Sequence, residues 1–279
     1  MACEVKMLAA SRCEETGNEI MSLQLRYWRA IHAEMMTHRA FSRNAGSSRA
    51  IPVKKMLAQV WNDPAGPVYW GANQAGMQAH AQITGWRLKA ARLAWRTAGK
   101  MACGFAWGLM KLGLHKQVAN RLLEPWQYIN VVVTATDWQN FFDLRCHEAA
   151  QPEMQELAFR MELEWLTAGG VMRPLKKGEW HLVYISEEEL ATLPIETLLK
   201  LSAARAARVS YEPYDGDASH EKEIARHDAL VGSAPIHASP CEHQAQCMAS
   251  DDRYANFQGF RQYRSFVEEA ASNQTEVKA

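Results

Sequence analysis

Two runs with strand-like alternation open the chain, residues 4–13 and 20–26, joined by Glu14-Glu15-Thr16-Gly17-Asn18-Glu19. A short polar connection containing glycine between two such runs reads as a hairpin. An isolated hairpin is marginal in water, so further strands or helices must cover its apolar face. The rest of the chain supplies mainly helical spacing. Tyr27 to Met36 turns helical, and Pro52 opens a clear helix with Val53, Met56, Leu57, Val60 and Trp61 on one face. Asn62-Asp63-Pro64-Ala65-Gly66-Pro67 stops it.

A longer helical region covers 80–112, where Leu88, Ala91, Trp95, Ala98 and Ala102 form an apolar stripe opposite Lys89, Arg92, Arg96 and Lys100. Residues 115–124, 137–144, 153–166, 220–230 and 256–267 also read as helical, as does the stretch from Pro194 to Ala203. In 153–166 the side carrying Met154, Leu157, Ala158, Met161 and Trp165 faces a core. Residues 129–133 read as a buried strand and Trp180 to Ile185 as another. Core packing accounts for Trp61, Trp95 and Trp165, and a solvated helix face accounts for the basic stripe. The pattern predicts an α+β protein, helix-rich with a small mixed or antiparallel sheet. One domain is expected over 1–269, followed by a frayed tail at 270–279.

Of the 279 residues, 48% are hydrophobic and 22% charged, enough for a substantial core. Lys+Arg and Asp+Glu each number 31, so net charge gives no pull toward nucleic acid or membrane, and any anion site must be local. The six cysteines form no Cys-x-x-Cys pair, which points to a reducing compartment. The first residues carry charges where a secretory signal needs an apolar run. The uncharged stretch from Met101 to Met110 is too short to span a bilayer. A cytoplasmic protein is expected.

The loop from 37 to 49 is dense in anion-binding chemistry: His38, Arg39, Arg43 and Arg49, the hydroxyls of Ser42, Ser47 and Ser48, and the amide of Asn44. Guanidinium forks and hydroxyls beside a helix start suit a phosphate-bearing ligand. Chemistry alone leaves this reading and that of a solvated basic loop both open.

The spacing adds to the chemistry. The segment resembles the signature of flavin-dependent thymidylate synthases, Arg-His-Arg-x-x-Ser-x-Asn-Glu-x-Ser-x-Arg, with His38, Arg39, Ser42, Asn44, Ser47 and Arg49 in register. Thr37 stands where the first Arg belongs and Ala45 replaces the Glu. A second block is similar to the family's Arg-x-x-x-Pro followed by a strand and a helix: Arg121 and Pro125, then Asn140 and Arg145. Thr134 and Thr136 occupy positions of a family Asn and Arg, and Gln151 resembles a following family position. A third block, Ala207-Arg208-Val209-Ser210-Tyr211 and His237-Ala238-Ser239-Pro240-Cys241-Glu242-His243, resembles segments that normally begin the family's sequences. The motif order therefore looks circularly permuted, and 206–243 is expected to fold back beside the loop. Nearby termini make such permutation tolerable.

The resemblance implies a flavin-dependent thymidylate synthase-like fold and C5 methylation of dUMP to dTMP. Methylenetetrahydrofolate would donate the one-carbon group, and reduced FAD, replenished by NADPH, the hydride. Arg145 would contact the pyrimidine and stabilise charge as C5 becomes nucleophilic. Glu34, Ala45, Gly46, Ser47, Ser48, Arg49 and Arg121 would complete the substrate site, largely at the phosphate. Thr37, His38, Arg39, Asn44, Thr134, Thr136, Asn140, His237 and Ser239 would line the flavin site. A homotetramer with shared active sites is implied, with no nucleic-acid or membrane partner.

The departures, with Glu34 where the family commonly has Gln, leave room for dCMP as substrate or for a hydroxymethyl product. A non-catalytic nucleotide-binding protein retaining the fold is the alternative from another class. The spacing of His237, Cys241, His243 and Cys247 also suits zinc, but Ser239, Pro240 and Glu242 complete the flavin-synthase pattern, so no metal is expected.

Overall fold

The computed structural model describes residues 3–76, 78–209 and 216–276. Ser210 and Tyr211 of the third motif block lie outside these residues. The opening hairpin forms as β1 (Glu4–Cys13) and β2 (Glu19–Trp28), paired antiparallel with an irregularity between Met7 and Ala9. Three further strands extend it: β3 (Ser42–Ala45), β4 (Tyr128–Ala135) and β5 (Arg173–Leu175). The order is β3-β4-β2-β1-β5, antiparallel except for the parallel β1–β5 pair. The sheet is mixed and the fold is α+β, within the expected class.

Period-two alternation gives this sheet two different faces. Met21, Leu23, Leu25 and Tyr27 of β2 join Ile129, Val131 and Val133 of β4 on one face. The helices on this side include α5 (Gln139–Arg145) and α6 (Pro152–Ala168), and α6 packs Met154, Leu157, Ala158 and Met161 here. The opposite face carries Leu8 and Val132, covered by Val183, Tyr184, Ala206 and Val209. The last two belong to the end of α8 (Ile195–Arg208) and its cap, so the third motif block stacks on the central sheet. Val209 holds a left-handed φ of +57°, a costly conformation for a β-branched residue, kept in place by full burial.

Around this core lie α1 (His32–Met35), α2 (Val53–Asn62), α3 (Gly85–Lys111), α4 (Lys116–Ala119), α7 (Glu187–Thr192), α9 (His220–Val231) and α10 (Tyr263–Glu276). A second sheet joins β6 (Trp180–His181), β7 (Ala245–Cys247) and β10 (Phe260–Gln262), while β8 (Arg253–Tyr254) pairs with β9 (Phe257–Gln258). No described helix is long and apolar enough to cross a membrane.

Several sequence expectations are corrected. The loop 37–49 contains β3, because Ser42 to Ala45 pair with Thr134 to Val131 along the sheet edge. The first half of 256–267 is strand: Phe257 and Phe260 both point into one apolar cluster with Cys13, Ile20 and Leu175. Strand structure at 180–185 is limited to Trp180–His181. Helix α10 continues to Glu276, into the stretch read as a tail. Trp61 is 52% exposed, outside the core, with the Lys100 ammonium 5.0 Å from its ring.

Helix α3, about 40 Å long, buries only Gly99, Cys103 and Ala106 and exposes Trp86, Leu93, Met101, Phe105, Trp107 and Leu112. Trp95 lies half-buried among Trp28, Trp70 and Trp126, and Trp165 packs on Phe142.

Candidate functional site

Trp138, Phe141, Phe142 and Arg145 follow helical spacing on one face of α5. The three aromatics are buried against one another and Phe41. One turn further on, Arg145 is carried inward to the loop after α1. Its Nη1 pairs with the Glu34 carboxylate, its Nε donates to His38 Nε2 at 2.8 Å, and its Nη2 lies 3.5 Å from Thr37 Oγ1. A cation at a helix C-terminus is also favoured by the dipole.

Accepting from Arg145 leaves His38 Nε2 unprotonated, which assigns the ring proton to Nδ1. Burial, reinforced by Arg145 and then Arg43, pulls the His38 pKa down to about 4, so the ring is neutral at pH 7. Arg43 fixes the loop by donating from Nη1 to the carbonyls of Met36 at 2.8 Å and His38 at 2.7 Å.

Thr37, His38, Arg39, Asn140 and Arg145 line one cavity of about 260 Å³ together with Phe41 and Asp137. Arg39 and Phe41 also line a neighbouring cavity of about 450 Å³ with Ser42, Glu242, Asn256 and Arg264. The Arg39 side chain has no hydrogen-bond or ion-pair partner among the described residues. An uncommitted guanidinium at the junction of two cavities, beside an aromatic ring, fits a flavin nucleotide's ring and phosphates.

Part of the late segment reaches the early loop. Residues Ser239–Glu242 form a 3-10 turn and Glu242 lines the second cavity opposite Arg39. Arg264 holds Glu242 from α10. The 253–262 hairpin, to which the sequence assigned no role, clamps the early loop. Asn256 Nδ2 donates to Ala40 O at 3.0 Å and to Ser42 Oγ at 3.2 Å, and Gln262 Nε2 donates to Ser42 Oγ at 2.8 Å. Ser42, a signature residue, is thus a buried anchor. Asn44 is half-buried in β3, opposite Val132.

The turn after β3 is pinned from beneath. Gly46 N donates to Asn130 O at 2.8 Å, and Asn120 Nδ2 donates to Ser48 O at 2.7 Å and Ile51 O at 2.9 Å. Ser48 is buried and reaches Glu124 Oε1 at 3.2 Å; Arg121 Nη1 meets the same oxygen at 2.8 Å. Ser47 and Arg49 point outward, Ser47 Oγ accepting from Arg49 N at 3.3 Å. Ala45, Gly46, Ser47 and Ala50 form one wall of a cavity of about 410 Å³, with Ala207, Arg208, Arg226 and Leu230 opposite.

Not all expected residues converge within one chain. Arg121 lines an apolar groove of about 910 Å³ along α3, with Met101, Phe105 and Leu112. His237 and Ser239 are exposed near the end of α9, where His237 N donates to Leu230 O at 3.0 Å. Thr136 Oγ1 accepts from Gln258 N at 3.0 Å.

Thr134, expected at the flavin, is wholly buried: its Oγ1 bonds Ser22 Oγ at 2.6 Å and His243 Nδ1 at 2.9 Å. Its side chain belongs to the sheet face under α8, so its hydroxyl is committed to the core. The four residues with zinc-like spacing do not gather as one set; Cys247 instead comes near Cys13 and Glu15, with their candidate ligand atoms within 4.8 Å of one another. Arg208, Glu223 and Arg226 were not singled out from sequence as site residues. Arg208 lies within the third motif block, whereas Glu223 and Arg226 lie in the stretch 220–230, which the sequence marks only as helical.

The profile of a family described as thymidylate synthase complementing protein matches residues 18–165, from β2 to α6. That span includes the signature loop, Arg121 and Arg145, and stops before the third block. Two solved structures of the UMP/dUMP methylase PolB from Streptomyces cacaoi, bound with 5-Br dUMP and 5-Br UMP, are similar to this chain. They share 16% and 14% identity at TM-scores of 0.49 and 0.48, each covering 59% of this chain and 90% and 89% of their own. No curated protein matches.

Proposed function

Because this chain belongs to the thymidylate synthase complementing protein family, a family of pyrimidine-nucleotide C5 methyltransferases, we propose that it converts dUMP to dTMP. Methylenetetrahydrofolate would supply the methylene group and NADPH the reducing equivalents, in the cytoplasm. The bound FAD, once reduced, would supply the hydride that completes the methyl group. The observation that carries this reading is the Arg145–His38–Glu34 group beside the cavity shared with Arg39 and Asn140.

As C5 becomes nucleophilic, negative charge would develop on the pyrimidine carbonyls and N3; bonding of C5 to the methylene carbon would consume it, and the C5 proton would leave afterwards. A guanidinium already oriented by Glu34 and His38 meets that charge without reorganising. Neutral His38 contributes by accepting from Arg145 rather than competing with it as a second cation. Thr37, His38, Arg39, Asn140 and the late His237 and Ser239 would hold the flavin. Asn44 and Ser42 would brace the strand between flavin and nucleotide. The Gly46–Arg49 turn and Arg121 would hold the nucleotide.

Glu34 favours a second reading. A carboxylate accepts from the exocyclic amine of cytosine as readily as from uracil N3–H, which makes dCMP the competing substrate, with a methyl or hydroxymethyl product.

Glu34 and Arg145 meet the loop before β3, whereas Ser47 and Arg49 follow it. Four extended residues separate the two groups by about 13 Å, and Arg121 lies on the α3 groove. A complete site is therefore proposed to form between copies of the chain, as a tetramer paired through the exposed face of α3.

The test is release of the C5 proton from dUMP or dCMP labelled at that position, with FAD, methylenetetrahydrofolate and NADPH present, followed by product mass. Release from dUMP with a product one methyl group heavier is expected, and Arg145→Lys should lower it roughly 100-fold or more. Protein that neither binds FAD nor releases the proton from either nucleotide defeats the proposal. Glu34→Gln should reduce any turnover of dCMP more than that of dUMP.

A further inference from the structure

The cavity beneath the Gly46–Ala50 turn is walled by two separated parts of the chain. On the β3 side the residues are small, Ala45, Gly46, Ser47 and Ala50, so a ligand can approach the backbone closely. Ala45 matters here, since the signature places a glutamate at this position and this chain presents a methyl group. On the other side α8 and α9 supply Arg208 and Arg226, and no carboxylate is among the described residues lining the cavity.

The two arginines are held differently. Glu223, wholly buried on α9, takes Arg208 Nε at 3.1 Å and Nη2 at 2.8 Å on its Oε1, and Arg226 Nη1 at 2.9 Å on its Oε2. Arg208 is sunk at 6% side-chain exposure, whereas Arg226 keeps 31%. The bond to Glu223 is the one that Arg226 makes among the described residues. Its Nε and Nη2 therefore retain their donors, on a guanidinium tethered through Nη1. Across the cavity Ser47 presents an exposed hydroxyl, and Arg49 in the same turn has a guanidinium without a described partner.

A tethered fork of N–H donors, a hydroxyl and a closely approachable turn suit a tetrahedral oxyanion. We propose that Arg226, positioned by Glu223, contacts the 5′-phosphate of the nucleotide that the Ser47 turn would hold. The proposal rests on the nucleotide reading above and adds a ligand from α9 that lies outside the three motif blocks.

The test uses the full chain and two probes, dUMP and deoxyuridine, which differ only in the phosphate. Titration calorimetry on the parent should show dUMP binding well above deoxyuridine. Arg226→Gln should weaken dUMP roughly 10- to 100-fold and leave deoxyuridine unchanged, while Arg226→Lys, which keeps the charge, should recover part of the loss.

Equal dUMP affinity in parent and Arg226→Gln overturns the assignment, and so does an equal loss for both probes, which would mark a structural role. A rise in KM for the folate with dUMP affinity intact would also overturn it, by placing the folate's carboxylates against Arg226. A parent that binds neither dUMP nor dCMP defeats the functional reading itself and is distinguishable from all three.

Discussion

Replacing Thr134 by valine separates a structural role from a ligand-binding one. The substitution keeps shape and removes one hydroxyl. That hydroxyl links a buried row of groups: Ser11 Oγ to His181 Nδ1 at 2.9 Å, His181 Nε2 to Ser22 Oγ at 2.9 Å, then Ser22 to Thr134 to His243. Ser22 would keep its bond to His181. His243 would keep nothing, because its Nε2 already has no partner and the ring is wholly buried.

The loss of a net hydrogen bond costs about 1 kcal/mol, and an orphaned buried polar nitrogen costs about 1–3 kcal/mol more. Thr134→Val should therefore lower stability by about 2–4 kcal/mol in urea unfolding, seen as a lower midpoint at unchanged slope. Pairing it with His243→Leu removes the orphan as well, so the double variant should be more stable than the sum of the single losses implies. Flavin absorbance should be retained by Thr134→Val. A variant of parental stability that fails to bind flavin would refute this reasoning and return Thr134 to the cofactor site.

Two further outcomes follow from the same structure. Burial lowers the pKa of His38 to about 4 and of His181 and His243 to about 3, against about 6.5 in an unfolded chain. The unfolded state thus binds more protons between these values, so the part of stability set by these rings is full above about pH 6.5 and is lost as pH falls toward 4 and then 3. Unfolding midpoints measured across pH should show this, and His38→Gln, which still accepts from Arg145, should flatten the slope between about 6.5 and 4; an unchanged slope counts against the assignment. On α3, Phe105→Glu places a charge in the exposed apolar strip and should shift sedimentation toward smaller species while leaving the helical circular dichroism signal intact; an unaltered assembly would move the interface elsewhere.

The hairpin, α2, α5 and α6 were legible because each carries a periodic apolar face bounded by its own stop signals. The inner strand β4 was legible because most of it is buried on both sides, which produces the apolar Val131–Val133 run. Short strands were harder. Ser42 to Ala45 are polar or small, and become a strand only because the edge of β4 supplies hydrogen-bond partners. Phe257 and Phe260 carry helical spacing in sequence, yet the left-handed Ala255 and Gly259 break the backbone on either side of β9.

The same contrast holds at the site. The family resemblance singled out His38, Arg39 and Arg145, which the structure brings to one cavity. It could not show that Thr134 faces inward, since one residue of register along β4 decides between core and cavity. Nor could it distinguish Arg226 from other charged residues of α9, because the role proposed for it rests on its bond to the buried Glu223.

The arrangement of these parts along β3 is compatible with the permuted motif order proposed from the resemblance. The sheet edge, and not the order of the chain, sets the spacing between the Arg145 group and the Ser47 turn. The late segment needs only to reach the same edge. It does so twice: through Glu242, which lines a cavity with Arg39, and through Ala207 and Arg208, which line the cavity with Ser47. The strand that links the two cavities is held by Asn256 and Gln262, from a hairpin that the family match does not reach. The hairpin thus acts as a positioning element: shortening Gln262 to Ala would free Ser42 from one of its two donors and should loosen both ends of β3 together, raising KM for nucleotide and weakening flavin in the same variant. Loss of one without the other would mean that the two cavities are positioned independently.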